Sequence, residues 1–335
     1  MQSKYNVLPD TPNQGLIDGF PIEIYNNGEF LGLYTWNIPK DEWLLNMDSD
    51  NPNHLMVCGE NWEAPVVFYA DADFVNWSVE VGQGSDASLQ KLNRLFEFIM
   101  ESSNKEFKTH IHEYLNLDSI LNYYLITDFA YLRDNLGKNM LVFTYDSEIW
   151  YLGLYDLDTS WGTYFNGKKL YDYELLELSQ SNLLRRIEEC FGDELCTRYF
   201  ELRNDIFTKE HILNEFHTFA NEIPEDTFEK EVLRWGNEIP GYSYDQIEEY
   251  LDVRIPILDE KYSDWNKWIK ARNARMFGII RNEYRKAAEE SPKIVVYTVC
   301  ILLLAVGIFT TIVVLFVKVC VRIIKRTGYK GKFIR

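Results

Sequence analysis

Residues 131–162 read YLRDNLGKNMLVFTYDSEIWYLGLYDLDTSWG, the densest polar constellation in a chain of 335 residues. Two short strands are expected here, 140–145 and 150–155, joined by the turn Asp146-Ser147-Glu148. Asp134 lies in the loop that leaves a long apolar helix, and Asn139 stands at the head of the first strand. Asp156 and Asp158 flank Leu157 at the exit of the second. Side-chain direction repeats every two residues along a strand, so Asp156 and Asp158 are expected on the same side. Three carboxylates and an amide then converge at the ends of two adjacent strands, where they repel one another without a counter-cation. Oxygen ligands of this kind suit Mg²⁺ or Mn²⁺, which take one or two carboxylates and complete their shell with phosphate and water.

Working outward, the first eighty residues or so read as strands. Residues 20–25 alternate with period two, Asn26-Asn27-Gly28 turns the chain, and 30–36 returns, which is a hairpin signal. Apolar runs at 54–58 and 64–69 are expected to extend the sheet. From Ser85 the period changes. Ser85 or Asp86 caps a helix carrying Leu89, Leu92, Leu95, Phe96 and Ile99 at spacings of three and four. A second helix starts near Asp118 and carries Ile120, Leu121, Tyr124, Leu125, Phe129 and Leu132. Beyond Trp161 the pattern is mostly helical to about Glu290, with stops at Pro224 and Pro240. Strands first and helices later indicate an α+β protein. A sheet-rich lobe over 1–84 would precede a helical lobe over 85–264, which carries the segment 131–162.

Hydrophobic residues make up 46% of the chain and charged ones 26%, which excludes long-range disorder and collagen-like repeats. A formal charge of −18 argues against nucleic acid as the main partner. That charge is uneven: residues 294–335 hold seven Lys or Arg and no acid, leaving 27 basic against 52 acidic groups before them. Residues 294–317, IVVYTVCILLLAVGIFTTIVVLFV, are 24 uncharged positions. As a helix they would be about 36 Å long, enough to cross a hydrocarbon core of about 30 Å. They read as a transmembrane helix, with a buried core helix as the alternative. Seven cations follow the span, whereas Arg281, Arg285, Lys286 and Lys293 precede it. That bias favours a single-pass protein with a cytoplasmic C-terminus and its acidic domain outside, although residues 1–15 contain no apolar region of a signal peptide. Residues 265–293 read as a basic amphipathic connector with Trp265, Trp268, Ile269 and Phe277 on one side, lying on the membrane or on the helical lobe. Residues 318–335 form a basic tail. Cys58, Cys190 and Cys196 have no metal spacing and are expected to be plain buried thiols.

The interval Arg133-Asp134-x4-Asn139 is that of a protein-kinase catalytic loop, with Asp156 in the place of the second metal-binding acid one hairpin later. Taken alone, the interval is also that of a solvated turn followed by an Asx cap. Further stretches resemble the spore-coat CotH kinase family of atypical protein kinases. Asn27-Gly28-Glu29-Phe30-Leu31-Gly32-Leu33-Tyr34 is similar to its NGEYxGxY hairpin, and Tyr155-Asp156-Leu157-Asp158 with Trp161-Gly162 to its WD-x-D…G segment. Residues 123–131, 198–203 and 254–259 look like its helical parts. The resemblance covers roughly 18–262.

It implies a remote, two-lobed protein-kinase-like fold and transfer of the γ-phosphoryl of ATP to Ser or Thr of surface or coat proteins. Asp134 would align the acceptor hydroxyl, while Asn139, Asp156 and Asp158 would hold Mg²⁺ or Mn²⁺ against the nucleotide. The family has strands before this hairpin, with an RG…K stretch whose Lys contacts the nucleotide. No such stretch precedes the hairpin here. A shortened sheet-rich lobe is therefore expected, completed by an N-terminal partner fragment or left as it is. Lys40 is then the candidate cation for phosphate, with a solvated turn after Pro39 as the other reading. A catalytically inactive scaffold that binds surface or coat proteins is the alternative function, and a structural cation site without nucleotide is a third.

Overall fold

Asn27 and Gly28 both take positive φ, 49° and 85°, and so turn the chain between β1 (Gly19–Asn26) and β2 (Glu29–Asn37). An Asn-Gly pair tolerates the two left-handed conformations that a two-residue hairpin loop needs, and the expected hairpin forms. The computed structural model describes residues 5–8, 19–61, 65–66, 68, 76–82, 86–166, 168–169, 176–236 and 244–290. After the hairpin come α1 (Glu42–Leu45), β3 (Leu55–Glu60), β4 (Trp77–Val81), α2 (Asp86–Glu101), α3 (Asn104–His110) and α4 (Leu117–Ala130). The strands β5 (Lys138–Thr144) and β6 (Trp150–Leu154) follow. Then come α5 (Asn182–Cys190), α6 (Gly192–Arg203), α7 (Lys209–Ala220), α8 (Thr227–Trp235), α9 (Tyr244–Ser263) and α10 (Trp265–Glu290). The protein is α+β, and its architecture is compatible with two lobes.

The larger sheet has the order β4-β3-β5-β6, antiparallel throughout. The boundary expected at residue 84 thus falls within one sheet: β3 and β4 lie before it, β5 and β6 after it. Of the run at 64–69, the described residues Pro65, Val66 and Phe68 lie outside any strand. Proline has no N–H to give, and Val66 instead donates its N–H to Leu136 O at 2.7 Å. The strand beside β3 is β4, whose Trp77 and Val81 are buried. One face of the sheet, with Met56, Cys58, Leu141 and Phe143, packs on Leu44 and Leu45 of α1 and on Met47. α4 packs against β6, α6 and α9. Its sequence, LDSILNYYLITDFA, is apolar nearly all round, as suits a helix buried on several sides.

The open edge of β6 is closed by the start of α4. The Ser119 hydroxyl accepts from Leu152 N and donates to Leu152 O, both at 3.0 Å, and Trp150 exchanges backbone bonds with Tyr114 and Asn116. The β1–β2 hairpin forms its own two-stranded sheet and leans on α8. There Lys230 meets Glu23 at 3.0 Å, and Arg234 donates to Phe30 O at 2.7 Å. In α2, Leu92, Leu95, Phe96 and Ile99 are buried at the expected spacings.

The chain divides into two units, Met1–Trp265 and Asn266–Arg335. Trp265 is buried within the first and donates Nε1–H to Glu188 O at 3.2 Å. In the second, the described part of α10 places the Arg272 guanidinium 5.1 Å from the Trp268 ring and leaves Phe277 exposed. The expected span 294–317 and tail 318–335 lie outside the described residues, and among those described no helix is long and apolar enough to cross a membrane.

Candidate active site

α4 delivers the first acid. Its C-cap, Tyr131, adopts a left-handed conformation with φ 59°, and Tyr131 N and Leu132 N bond back to Asp128 O and Thr127 O. The chain therefore leaves α4 through a sharp reversal and enters a short turn at Asp134–Leu136, after which β5 begins. Asn139 and Asp156 are also left-handed, with φ 62° and 50°, as is Trp161 with φ 52°. Asn and Asp tolerate this region, but for Tyr and Trp it is costly and persists only where surroundings over-determine it. With Ser147 at φ 66°, five such residues within 131–162 mark a segment built for geometry rather than for regular structure.

The alternation argument for Asp156 and Asp158 does not describe how they sit. β6 ends at Leu154, and the left-handed turn at Asp156 sets both acids beyond the strand. Asn139 Nδ2 lies 3.3 Å from Asp156 Oδ2 across the strand pair. Asp134 Oδ2 accepts from Thr159 Oγ1 at 3.3 Å, and the same hydroxyl lies 3.4 Å from Asp158 Oδ1. Lys138 Nζ reaches Asp134 Oδ2 at 3.0 Å and supplies a cation that the sequence reading left unassigned. Partial burial raises the Asp158 pKa first, followed by the charges of Asp156 and Asp134, with Lys138 opposing. Three carboxylates against one ammonium leave this end of the site in want of positive charge.

Asn135, fully buried, ties the arms together. Its Nδ2 donates to Tyr155 O at 2.9 Å and lies 3.3 Å from Asn139 O, while its own carbonyl accepts from the buried Tyr123 hydroxyl at 2.5 Å. The peptide before Asp156 and the peptide of Asn139 are thereby fixed by one side chain.

Lys40 is not a solvated turn residue. Ile38 packs on the α1 cluster and Asp41 caps α1 by accepting from Trp43 N at 2.9 Å, so the intervening Lys40 is pulled in against the sheet. Its Nζ lies 3.1 Å from Glu80 and 3.5 Å from Glu60, and 5.6 Å from the centre of the Tyr155 ring. The Ser78 hydroxyl bridges Glu60 and Glu80. Burial works against the Lys40 charge, yet Cys58 and Glu80 outweigh it and hold the pKa above the ordinary lysine value. Burial pushes the Cys58 thiol up to about 11, against the pull of Lys40, so it stays protonated at neutral pH.

Among the described residues, Cys58, Glu60 and Glu80 form the group of acid and thiol ligands whose atoms close to within 4.8 Å of one another. The Lys40 ammonium meets both of its carboxylates. Asp134, Asp156 and Asp158 do not close to that distance.

Sequence reasoning missed Glu60, Glu80, Asn135, Lys138 and Thr159. A signal existed for one of these: Glu60 shares a strand face with Cys58 and is a charge at the end of an otherwise buried strand. Two histidines have structural partners: His54 Nδ1 accepts from Asp48 N at 2.8 Å, and His110 pairs with Glu113 at 2.7 Å.

A family model described as CotH kinase protein matches residues 19–258, which span both sheets, the acidic segment and most of α9. No curated protein matches the chain.

Proposed function

The chain belongs to the CotH kinase family, and from that premise we propose that it transfers the γ-phosphoryl group of ATP to Ser or Thr hydroxyls of surface or coat proteins. The observation that carries this reading is the continuity of the site. Lys40, buttressed by Glu80, lies over Tyr155, and the next residue, Asp156, is joined to Asn139. A cation for phosphate and oxygen ligands for a divalent metal thus adjoin.

In this reading Lys40 binds phosphate oxygens, and Glu80 orients it and keeps it charged. Asn139, Asp156 and Asp158 would hold Mg²⁺ or Mn²⁺, and their excess of negative charge fits a divalent cation. When bound, the ion would neutralise charge on the triphosphate. Asp134 accepts the hydrogen bond of the acceptor hydroxyl and takes its proton as the new O–P bond forms and the bond to the ADP oxygen breaks. Lys138 holds Asp134 in place, and Thr159 restricts its rotation. Residues 294–317 would anchor the domain in a membrane. That proposal predicts that alkaline carbonate leaves the full chain in the membrane pellet, whereas a chain released by carbonate would have no spanning anchor.

The test of function is transfer from γ-labelled ATP to a Ser-rich acceptor protein in Mn²⁺, by wild type and by Asp156→Ala. Transfer by wild type that the substitution abolishes is expected. Equal incorporation by both proteins would falsify the metal-ligand assignment, and none by either would favour the scaffold reading.

A further inference from the structure

The last four carbonyls of an α-helix have no partner within it, and where the helix end is buried each must find one elsewhere. In α4 these are Thr127, Asp128, Phe129 and Ala130. Thr127 O accepts from Leu132 N at 2.9 Å and Asp128 O from Tyr131 N at 3.4 Å, which closes the left-handed cap. The remaining bonds come from far along the chain. Arg254 of α9 donates through Nη2 and Nε to Asp128 O at 2.7 and 3.2 Å, and through Nη2 to Asp128 Oδ1 at 2.7 Å. The Tyr250 hydroxyl donates to Phe129 O at 2.6 Å, and Trp161 N donates to Ala130 O at 2.8 Å. Lys261 and Tyr262 complete the Asp128 carboxylate, each at 2.6 Å from Oδ2. Asp128, Tyr250 and Arg254 are wholly buried, so these bonds have no competition from water.

Two strained residues flank this junction. Tyr131 follows it directly, and its ring centre lies 5.3 Å from the Arg254 guanidinium. Trp161 donates into it and stacks edge-on against Phe129 and Tyr250. Asp134 lies three residues beyond Tyr131, and Asp158 three residues before Trp161. We propose that α9 is the positioning element of the acidic segment: Arg254 and Tyr250 grip the C-terminal carbonyls of α4 and so impose the left-handed turn at Tyr131 that aims Asp134. They touch neither nucleotide nor acceptor and act only through backbone. The proposal rests on the assignment of Asp134 to the acceptor hydroxyl. Lys40 and Glu80 owe their placement to β3, β4 and α1, so the cation for phosphate is placed independently of the grip.

The test is Tyr250→Phe in the full chain, which keeps the ring and deletes the hydroxyl bond to Phe129 O. Arg254→Lys is the second variant, which keeps the charge facing Asp128 but cannot span both its carbonyl and its carboxylate. Two quantities are read: kcat and KM for ATP, and amide hydrogen exchange of residues 131–137 relative to 55–60. A misplacement on the ångström scale costs up to about 100-fold in rate. The expected result is a kcat lowered about 10-fold or more, a smaller change in KM for ATP, and faster exchange confined to 131–137. Unchanged kcat with unchanged relative exchange overturns the proposal, and so does exchange that rises equally in both segments of both variants. If wild type transfers no phosphoryl group, the kinase reading fails by itself, and the exchange ratio alone decides whether α9 sets the turn.

Discussion

Asp128 is a fully buried carboxylate set between two cations, Lys261 at 2.6 Å and Arg254 at 2.7 Å. Burial pushes its pKa up, but Lys261 and then Arg254 outweigh that and hold it below the ordinary aspartate value. A carboxyl depressed by folding stabilises the protein fully above its unfolded pKa, near pH 4, and loses that contribution as pH falls through the folded value. Asp128→Asn is expected to cost about 3–5 kcal/mol at neutral pH, because it leaves buried cations under-compensated. It should also flatten the loss of stability below about pH 4 in a denaturant series. An acid limb identical to that of wild type would show that another group titrates. Lys40→Met should remove stabilisation by ATP and leave that by Mn²⁺ alone in place. An undiminished ATP effect would exclude Lys40 from the nucleotide end. The nearness of Asp134, Asn139, Asp156 and Asp158 is legible in the sequence because one hairpin gathers them over a short stretch. Glu80 was not, since only the pairing of β3 with β4 brings it to Lys40, forty residues earlier.

At the scale of elements, legibility followed locality again. The β1–β2 turn, α2 and α4 each announce themselves through a turn pair or a run of helical spacing. α3 did not, although Ser103 and Glu106 form a reciprocal cap at its start, because the helix is short and buries only Phe107. In the run 64–69, the described residues Pro65, Val66 and Phe68 stand outside any strand, and the Val66 N–H goes to Leu136 O instead. β5 and β6 join β3 in one sheet, a pairing between strands about eighty residues apart that no local pattern announces. The closure of β6 by α4 gives an element-scale prediction. Ser119→Ala leaves the N–H and C=O of Leu152 without their buried partner and should cost about 1–3 kcal/mol. The Leu152 amide should exchange faster than its neighbours in β5. Equal protection in variant and wild type would mean that the edge of β6 is closed by other means.

Across the whole molecule, the site is assembled from parts that the sequence separates widely. The cation comes from the link between β2 and α1, its buttress from β3 and β4, the acids from the ends of α4, β5 and β6, and the support behind them from α9. Such an arrangement works only if these parts hold together, and residues up to Trp265 form one compact unit. The acidic balance of the chain also bears on ligand choice. An anionic nucleotide needs both Lys40 and a bound cation to approach three carboxylates, so neither ATP nor metal alone should bind fully. The most direct measurement is thermal unfolding of the full chain with Mn²⁺, with ATP, and with both, for wild type and Asp156→Ala. A ligand at a hundred times its dissociation constant stabilises by about 2.7 kcal/mol. Stabilisation of that order by ATP, present only with Mn²⁺ and lost in Asp156→Ala, is the predicted result. ATP and Mn²⁺ together doing no more than Mn²⁺ alone would contradict a nucleotide site at Lys40 and Asp156.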